Sequence, residues 1–295
     1  MSQPVSLKIA PFTSNVLAKK RYLIHYFIVM WISIIPPLLE FWLYWRVFFP
    51  QLQNINTLFN LYDPASDAIL FYLFLPFEIY LLYLTFVFSS MFSAKLMLII
   101  VNLFHKPREG IFNRDPKDRD YAYWSLRNTI IKWPAWVSHT FPIPWHDVIL
   151  MKLFGVKTNF SNSIFEGWVS CGFVEFGKNI SVGQGAIIAS SMIFGNYLII
   201  KKIKIGNNAI IGTHAFVSPG TIFGENIILA AYAYTHVDQQ LDDGWIYMGI
   251  PAQKLRENKF TEPGLEIQLA EDHKEMVETW AKTIEKREAT TLKKD

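Results

Sequence analysis

The sequence predicts a mainly β protein, a parallel β-helix preceded by two transmembrane α-helices and followed by a C-terminal α-helix. Three observations predict it. A six-residue repeat runs from Phe176 to Leu229, two long apolar stretches lie ahead of it, and apolar residues at helical spacing close the chain.

The repeat is the most specific of the three. Phe176-Gly177, Val182-Gly183, Ile188-Ala189 and Phe194-Gly195 form one run. Ile205-Gly206, Ile211-Gly212, Val217-Ser218, Phe223-Gly224 and Leu229-Ala230 form a second. A helix repeats its apolar face every 3.6 residues and a strand every two, so neither gives a strict six. A short strand followed by a tight turn, stacked coil on coil, does. The opening residue of each hexad is expected to point into a shared core, and the small residue after it to allow the turn. The phase slips by one between Phe194 and Ile205. The slip places a small extruded loop at Asn196–Lys202, and such loops often carry specific chemistry. After Leu229 the pattern fades.

Ahead of the repeat, residues 1–21 form a polar tail ending in Lys19-Lys20-Arg21. Tyr22 to Trp45 is 24 residues, almost wholly apolar apart from Pro36-Pro37 and Glu40. A bilayer-spanning helix needs ~20. A second apolar stretch runs from Ala68 to about Met91 and less purely to Phe104, so 22–104 reads as a two-helix transmembrane region. The first stretch lacks a small-residue cleavage site, so a cleaved signal peptide is not expected. Lys19, Lys20, Arg21, Lys95, Lys106 and Arg108 flank the pair, whereas the connecting segment carries Asp63 and Asp67 and, after Arg46 at the end of the first stretch, no Lys or Arg. The positive-inside rule then puts both chain ends in the cytosol. The expectation is an integral protein of the cytoplasmic membrane with its β-helix domain in the cytosol. Glu40 and Glu78 lie inside the apolar stretches. Two helices cannot enclose a polar path, so these carboxylates are read first as packing the helices together and second as gripping a substrate.

Residues 105–160 form an aromatic juxtamembrane elbow. Arg114, Lys117 and Arg119 alternate with Asp115, Asp118 and Asp120 in what reads as a solvated run. Trp124, Trp133, Trp136 and Trp145 follow among Pro134, Pro142 and Pro144. Such a Trp density suits either the headgroup belt of a membrane or an aromatic core capping the first coil. The repeat domain spans 161–255. In the remaining 256–295, Pro263 precedes Leu265, Leu269, Met276 and Trp280 at helical spacing, so 264–287 reads as a helix.

Composition excludes several classes. The formal net charge of +3 on 295 residues gives no electrostatic footprint for nucleic acid. The single cysteine, Cys171, excludes a disulfide framework within one chain and a cysteine-based zinc site. A three-His zinc site needs a third His beside His214 and His236, and the repeat holds none, so no metal is expected.

The hexads, joined to Gly249-Ile250-Pro251-Ala252-Gln253-Lys254, resemble the left-handed β-helix acyltransferases, the hexapeptide-repeat transferases. The resemblance covers roughly residues 161–256. It is carried by Ile205-Gly206-Asn207-Asn208-Ala209-Ile210-Ile211-Gly212 through Pro219-Gly220 and by the Gly-x-Pro-Ala motif, here with Ile250 where Asn is usual. The order of two membrane helices, an aromatic elbow and Phe173-Val174-Glu175-Phe176-Gly177 is similar to the β-helix region of poly-lysine-type peptide synthetases. The family resemblance implies a left-handed coil and a homotrimer. It implies a coenzyme A thioester as acyl donor in the groove between neighbours, and a His as general base toward a hydroxyl or amine acceptor. In many relatives that His precedes the extruded loop. The matching place here is Ser190-Ser191, which has none. His214 then stands first and His236, beside Asp238, second. Each is otherwise an ordinary exposed or trimer-contact side chain. Gly212, Ala230, Ala231, Pro251, Ala252 and Lys254 are the expected coenzyme A contacts, with turn N–H groups holding the oxyanion. Glu166 and Glu175 read as solvated edge charges, with Glu175 also able to orient an amine.

Three functions follow. The first is a membrane-anchored acyltransferase acting on a lipid-linked or amine acceptor at the membrane surface. The second is a non-catalytic trimeric membrane scaffold. The third is an amide-forming partner of a peptide-synthetase-like system, fed by a carrier-bound thioester. Coenzyme A binding separates the first from the other two.

Overall fold

The computed structural model of the protein describes residues 20–48, 67–140, 146–164 and 167–259, together with Lys274, Glu278 and Lys282. The expected C-terminal helix at 264–287, Glu166, Trp145 and the loop between the apolar stretches lie outside the described residues, apart from those three positions and Asp67.

Two long helices open the fold, α1 (Lys20–Phe48) and α2 (Asp67–Phe104). At 1.5 Å per residue their 29 and 38 residues are about 44 and 57 Å long, each beyond the ~30 Å of a hydrocarbon core. Both are long and apolar enough to cross a membrane. They pack on each other, yet Trp31, Leu38, Leu39, Leu43, Leu73 and Phe77 stay more than half exposed.

The elbow folds into a strand and two helices. A short strand, β1 (Gly110–Asn113), leads into α3 (Arg119–His139) and α4 (His146–Leu153). Asp118 caps α3, accepting from the Asp120 and Tyr121 N–H groups, which accounts for the helix start. Helix α3 packs along α1 and α2. Trp133 meets Tyr26 and Phe86 edge-on, and its Nε1 donates to Ser33 Oγ at 3.3 Å. Val29, Val87, Met91, Ala94, Leu126 and Ile130 form the core there. Helix α4 joins two cores: Leu150 and Phe154 belong to this helical cluster, while Val148 and Met151 cap the coil core. The charged run departs from its solvated reading at one residue. Asp120 is buried, held by Nε and Nη2 of Arg108.

From Lys157 the chain winds as a coil. Strands β2 (Trp168–Val169), β5 (Ile187–Ile188) and β10 (Phe216–Val217) form one parallel sheet. Strands β3 (Val174–Phe176), β8 (Ile203–Ile205), β11 (Ile222–Phe223) and β13 (Gln240–Leu241) form a second. Strands β4 (Ser181–Val182), β9 (Ile210–Ile211), β12 (Ile228–Leu229) and β14 (Trp245–Met248) form a third. Successive strands pass to successive sheets, so the solenoid is three-sided. One circuit takes 18 residues, as Ile210↔Ile228↔Ile246 shows. Hexad openers Phe176, Val182, Ile188, Ile205, Ile211, Val217, Phe223 and Leu229 are all buried, as are residues two places earlier.

Two hexad expectations are corrected. Phe194 is 72% exposed and opens no coil. It ends β6 (Ser191–Phe194), which forms an antiparallel hairpin with β7 (Tyr197–Ile200), and β1 adds a third strand through Gly110↔Ile200 to Asn113↔Tyr197. The step Val174↔Ile203 is 29 residues, where the preceding Lys157↔Glu175 is 18, and the extra 11 are this hairpin. The excursion is therefore a strand pair pinned to the elbow, larger than the loop expected at Asn196–Lys202. Second, the coil does not fade after Leu229. Thr235, Leu241 and Tyr247 continue the sixes and are buried. Polar Thr235 hides the pattern in the sequence. Its hydroxyl accepts from Ser218 N–H at 2.8 Å and lies 3.0 Å from Thr221 Oγ1.

The corners turn through left-handed backbone. Asn179, Asn208 and Asn226 (φ 57, 55 and 56°) stack at one corner as a side-chain ladder, with amide contacts of 3.2 and 3.1 Å. Asn tolerates this conformation better than other side chains. After β14 the chain reverses at Gly249–Ala252 into β15 (Gln253–Glu257), antiparallel to β14.

Candidate functional site

His214 lies at the next corner, between β9 and β10. The corner stacks Gly185, His214 and Tyr232, all at positive φ (67, 54 and 58°). Backbone bonds lock the stack: His214 N–H donates to Gln184 O and Tyr232 N–H to Thr213 O, both at 3.0 Å. The imidazole is exposed and lies against the Tyr232 ring at 5.3 Å between centroids. Gly185 leaves it room, since a Cβ there would sit 2.5 Å from the His214 ring. Neither ring nitrogen has a hydrogen bond or a carboxylate partner among the described residues. A neutral imidazole keeps one acceptor nitrogen, and here the ring edge bearing Nδ1 lies toward Gly185.

His236 lies at a different corner, between Tyr234 and β13, so the fold does not bring the two histidines together on one edge. Its Nδ1 is 2.8 Å from Val237 O. Asp238, expected beside it as an orienter, instead pairs with Lys201. Of the expected coenzyme A contacts, Gly212 and Ala230-Ala231 do stack at the His214 corner. A Cβ on Gly212 would come within 2.4 Å of Ala231 N. Pro251 is exposed at the reversal. Ala252 is buried, donating its N–H to Tyr234 O at 2.8 Å. Lys254 on β15 is 2.6 Å from Asp242 and lies over the Trp245 ring.

Ser190 is buried and donates to Gly172 O at 2.9 Å. It lines a cavity of about 460 Å³ between α2, α3 and the first coils. Cys171 lines the same cavity. Burial pushes its thiol up to about 12, with the Asp147 charge adding to the rise, so it is neutral near pH 7 and no nucleophile. Glu175 is no free edge charge. It lies 2.7 Å from Lys157 and 3.4 Å from Lys202, and its hydrogen bond to Lys157 holds its carboxyl below the usual range.

Two polar clusters escaped sequence reasoning. Ser138, His146 and Asp147 are buried together where α3 meets α4. Ser138 Oγ donates to Asp147 at 2.7 Å and lies 3.2 Å from His146 Nε2. Because the serine proton goes to the carboxylate, this trio is a structural link and not a nucleophile–base pair. Burial lowers the His146 pKa, Asp147 opposes that shift, and His139 adds to it. The second cluster holds Asp120 with Arg108, 3.3 Å from His105 Nε2, and Arg127 beside them. The Arg108 hydrogen bond lowers the Asp120 pKa. Burial lowers that of His105. The Asp118 cap, with Asp120 two places on in the first helical turn, was the available signal.

Part of the chain has backbone likeness to solved acyltransferases. A variant of AntD, an N-acyltransferase from Bacillus cereus solved with dTDP-4-amino-4,6-dideoxyglucose and coenzyme A, is 21% identical over 34% of this chain and 60% of that one, with a TM-score of 0.28. The chain thus spans about three-fifths of AntD. A maltose O-acetyltransferase from Clostridium difficile is 12% identical over 38% of this chain and 74% of its own, with a TM-score of 0.30. A galactoside acetyltransferase in complex with coenzyme A is 16% identical over 45% and 80%, with a TM-score of 0.32. No protein-family model and no curated protein matches the sequence.

Proposed function

We propose that this protein is a membrane-anchored acyltransferase that moves an acyl group from a coenzyme A thioester to a hydroxyl or amine acceptor at the membrane surface, with His214 as general base. The observation that carries this reading is the His214 corner. An exposed imidazole without a competing partner among the described residues sits on a regular coil whose backbone bonds hold its corner, and Gly185 leaves it space. A general base needs that placement, a fixed ring with an accessible acceptor nitrogen. The hexads and the Gly-x-Pro-Ala reversal add their resemblance to the left-handed acyltransferases. In a homotrimer a neighbour would complete a groove along this corner, with Gly212, Ala230 and Ala231 on its floor and Pro251, Ala252 and Lys254 toward its end. The exposed apolar belts of α1 and α2 support anchoring, with the coil on the cytosolic side and a lipid-linked or amine acceptor close by.

A scaffold is the second reading, favoured by Ser190, whose hydroxyl is tied to Gly172 O where a base would stand. Thermal-shift titration of the purified chain with coenzyme A and acetyl-coenzyme A separates the two. A ligand at 100 times its Kd adds ~2.7 kcal/mol of stability. A saturable upward shift supports the transferase. An unchanged melting curve with both ligands favours the scaffold or a carrier-fed amide-forming role.

A further inference from the structure

We infer that the cavity between α2, α3 and the first coils is a binding site for a phosphate-bearing ligand, distinct from the His214 corner. Its volume, about 460 Å³, lies in the range of small-ligand sites. Five cations line it, Lys95, Arg108, Arg127, Lys157 and Lys202, against two carboxylates, Asp120 and Glu175. Those carboxylates are already committed. Asp120 accepts from Nε and Nη2 of Arg108, and Glu175 is shared by Lys157 and Lys202.

Arg127 and Lys95 are left with neutral partners. Arg127 is half-buried, and its Nε donates to Asn102 Oδ1 at 2.9 Å. Its Nη2 is held by His105, and Nη1 has no partner among the described residues. Lys95 Nζ donates to Leu153 O at 2.6 Å. Arg127 feels the Asp120 charge but makes no ion pair of its own, and an oxyanion at Nη1 would offset the desolvation of this half-buried guanidinium. A guanidinium fork beside flexible ammonium groups suits the several oxygens of a phosphate. Ser191 from the hairpin completes a polar wall.

The apolar part of the lining, on the same two helices as Lys95 and Arg127, gives a lipid phosphate a route in. Leu98, Trp124 and Ile131 are apolar, and Leu98 belongs to the helix whose outward residues Leu96, Ile99, Ile100 and Leu103 are exposed. A headgroup could enter from that side, whereas a soluble phosphate would enter past the exposed Lys157. The shared chemistry is the phosphate monoester.

The test uses the full chain in detergent, titrated with dioctanoyl phosphatidic acid, with dioctanoyl phosphatidylcholine and with glycerol 3-phosphate. Binding is read by calorimetry. Phosphatidic acid is expected to bind saturably, and Lys202→Gln and Arg127→Gln each to weaken it at least fivefold. Phosphatidylcholine is expected to bind at least tenfold more weakly. Equal binding of glycerol 3-phosphate would support the site with a soluble ligand, and weaker binding would assign a lipid source. His214→Ala should leave binding unchanged, so the site stands or falls apart from acyl transfer. Lys202 is a surface lysine on the rim, so its variant remains informative where Arg127→Gln fails to fold. The inference is overturned if no phosphate compound binds. It is also overturned if a folded Lys202→Gln chain binds phosphatidic acid as tightly as wild type, or if phosphatidylcholine binds equally well.

Discussion

His146 shows how much one side chain's setting decides. Desolvation between α3 and α4 favours its neutral form, and the nearby Asp147 only partly offsets this. A histidine pKa lowered by folding contributes stability that is present above the unfolded value of ~6.5 and is lost as pH falls below it. Stability is therefore expected to decline from about pH 6.5 downward. His146→Gln should flatten part of that decline while lowering stability at pH 7.5, as chemical denaturation across the pH range would show. An equally steep decline in the variant would assign the slope elsewhere, with His105 the next group, its pKa lowered for the same reason. None of this was legible in the sequence. His146 and Asp147 sit in an unremarkable stretch, and only the packing of α4 between two cores makes them buried. That His214 faces outward was legible, because a residue three places past an inward position lies on the outside of the coil. That Asp238 leaves His236 for Lys201 was not, since the pair joins residues 37 apart across a coil.

At the scale of elements, the coil was legible because burial of a hexad opener repeats by strict geometry. Where the rule was disguised, reading failed in both directions. Phe194 and Gly195 imitate a hexad yet form the tip of a hairpin, whose alternation of two belongs to β6 and β7. Thr235 conceals a true coil position behind a hydroxyl that finds its partners, Ser218 and Thr221, on the adjoining coil. The glycines after the openers matter because neighbouring coils touch there. A Cβ on Gly206 would lie 2.1 Å from Gly224 O, a backbone atom with no room to yield. Gly206→Ala is expected to cost about 1–3 kcal/mol, the range of overpacking in a filled core. Thermal denaturation checks it, and an unchanged melting temperature would contradict so tight a spacing.

For the whole molecule, the helical base and the coil share α4, so the apolar helices and the candidate site form one construction. The three-sided coil with an exposed His214 edge leads to the expectation of a homotrimer with six membrane-crossing helices. Native mass spectrometry in detergent should give three chains per particle, and a stable monomer or dimer would contradict it. Cysteines added at either end should be protected from an impermeant reagent in intact cells, from the Lys and Arg flanking both apolar stretches. Labelling of either end from outside would reverse the topology. The most direct measurement of the central claim is acyl transfer from a coenzyme A thioester to hydroxyl and amine acceptors presented at a bilayer, for wild type, His214→Ala and His236→Ala. A positioned general base contributes typically 10²–10⁴-fold. The account predicts a loss of that size for His214→Ala and near-wild-type turnover for His236→Ala; an active wild type whose His214→Ala variant keeps its turnover would contradict it.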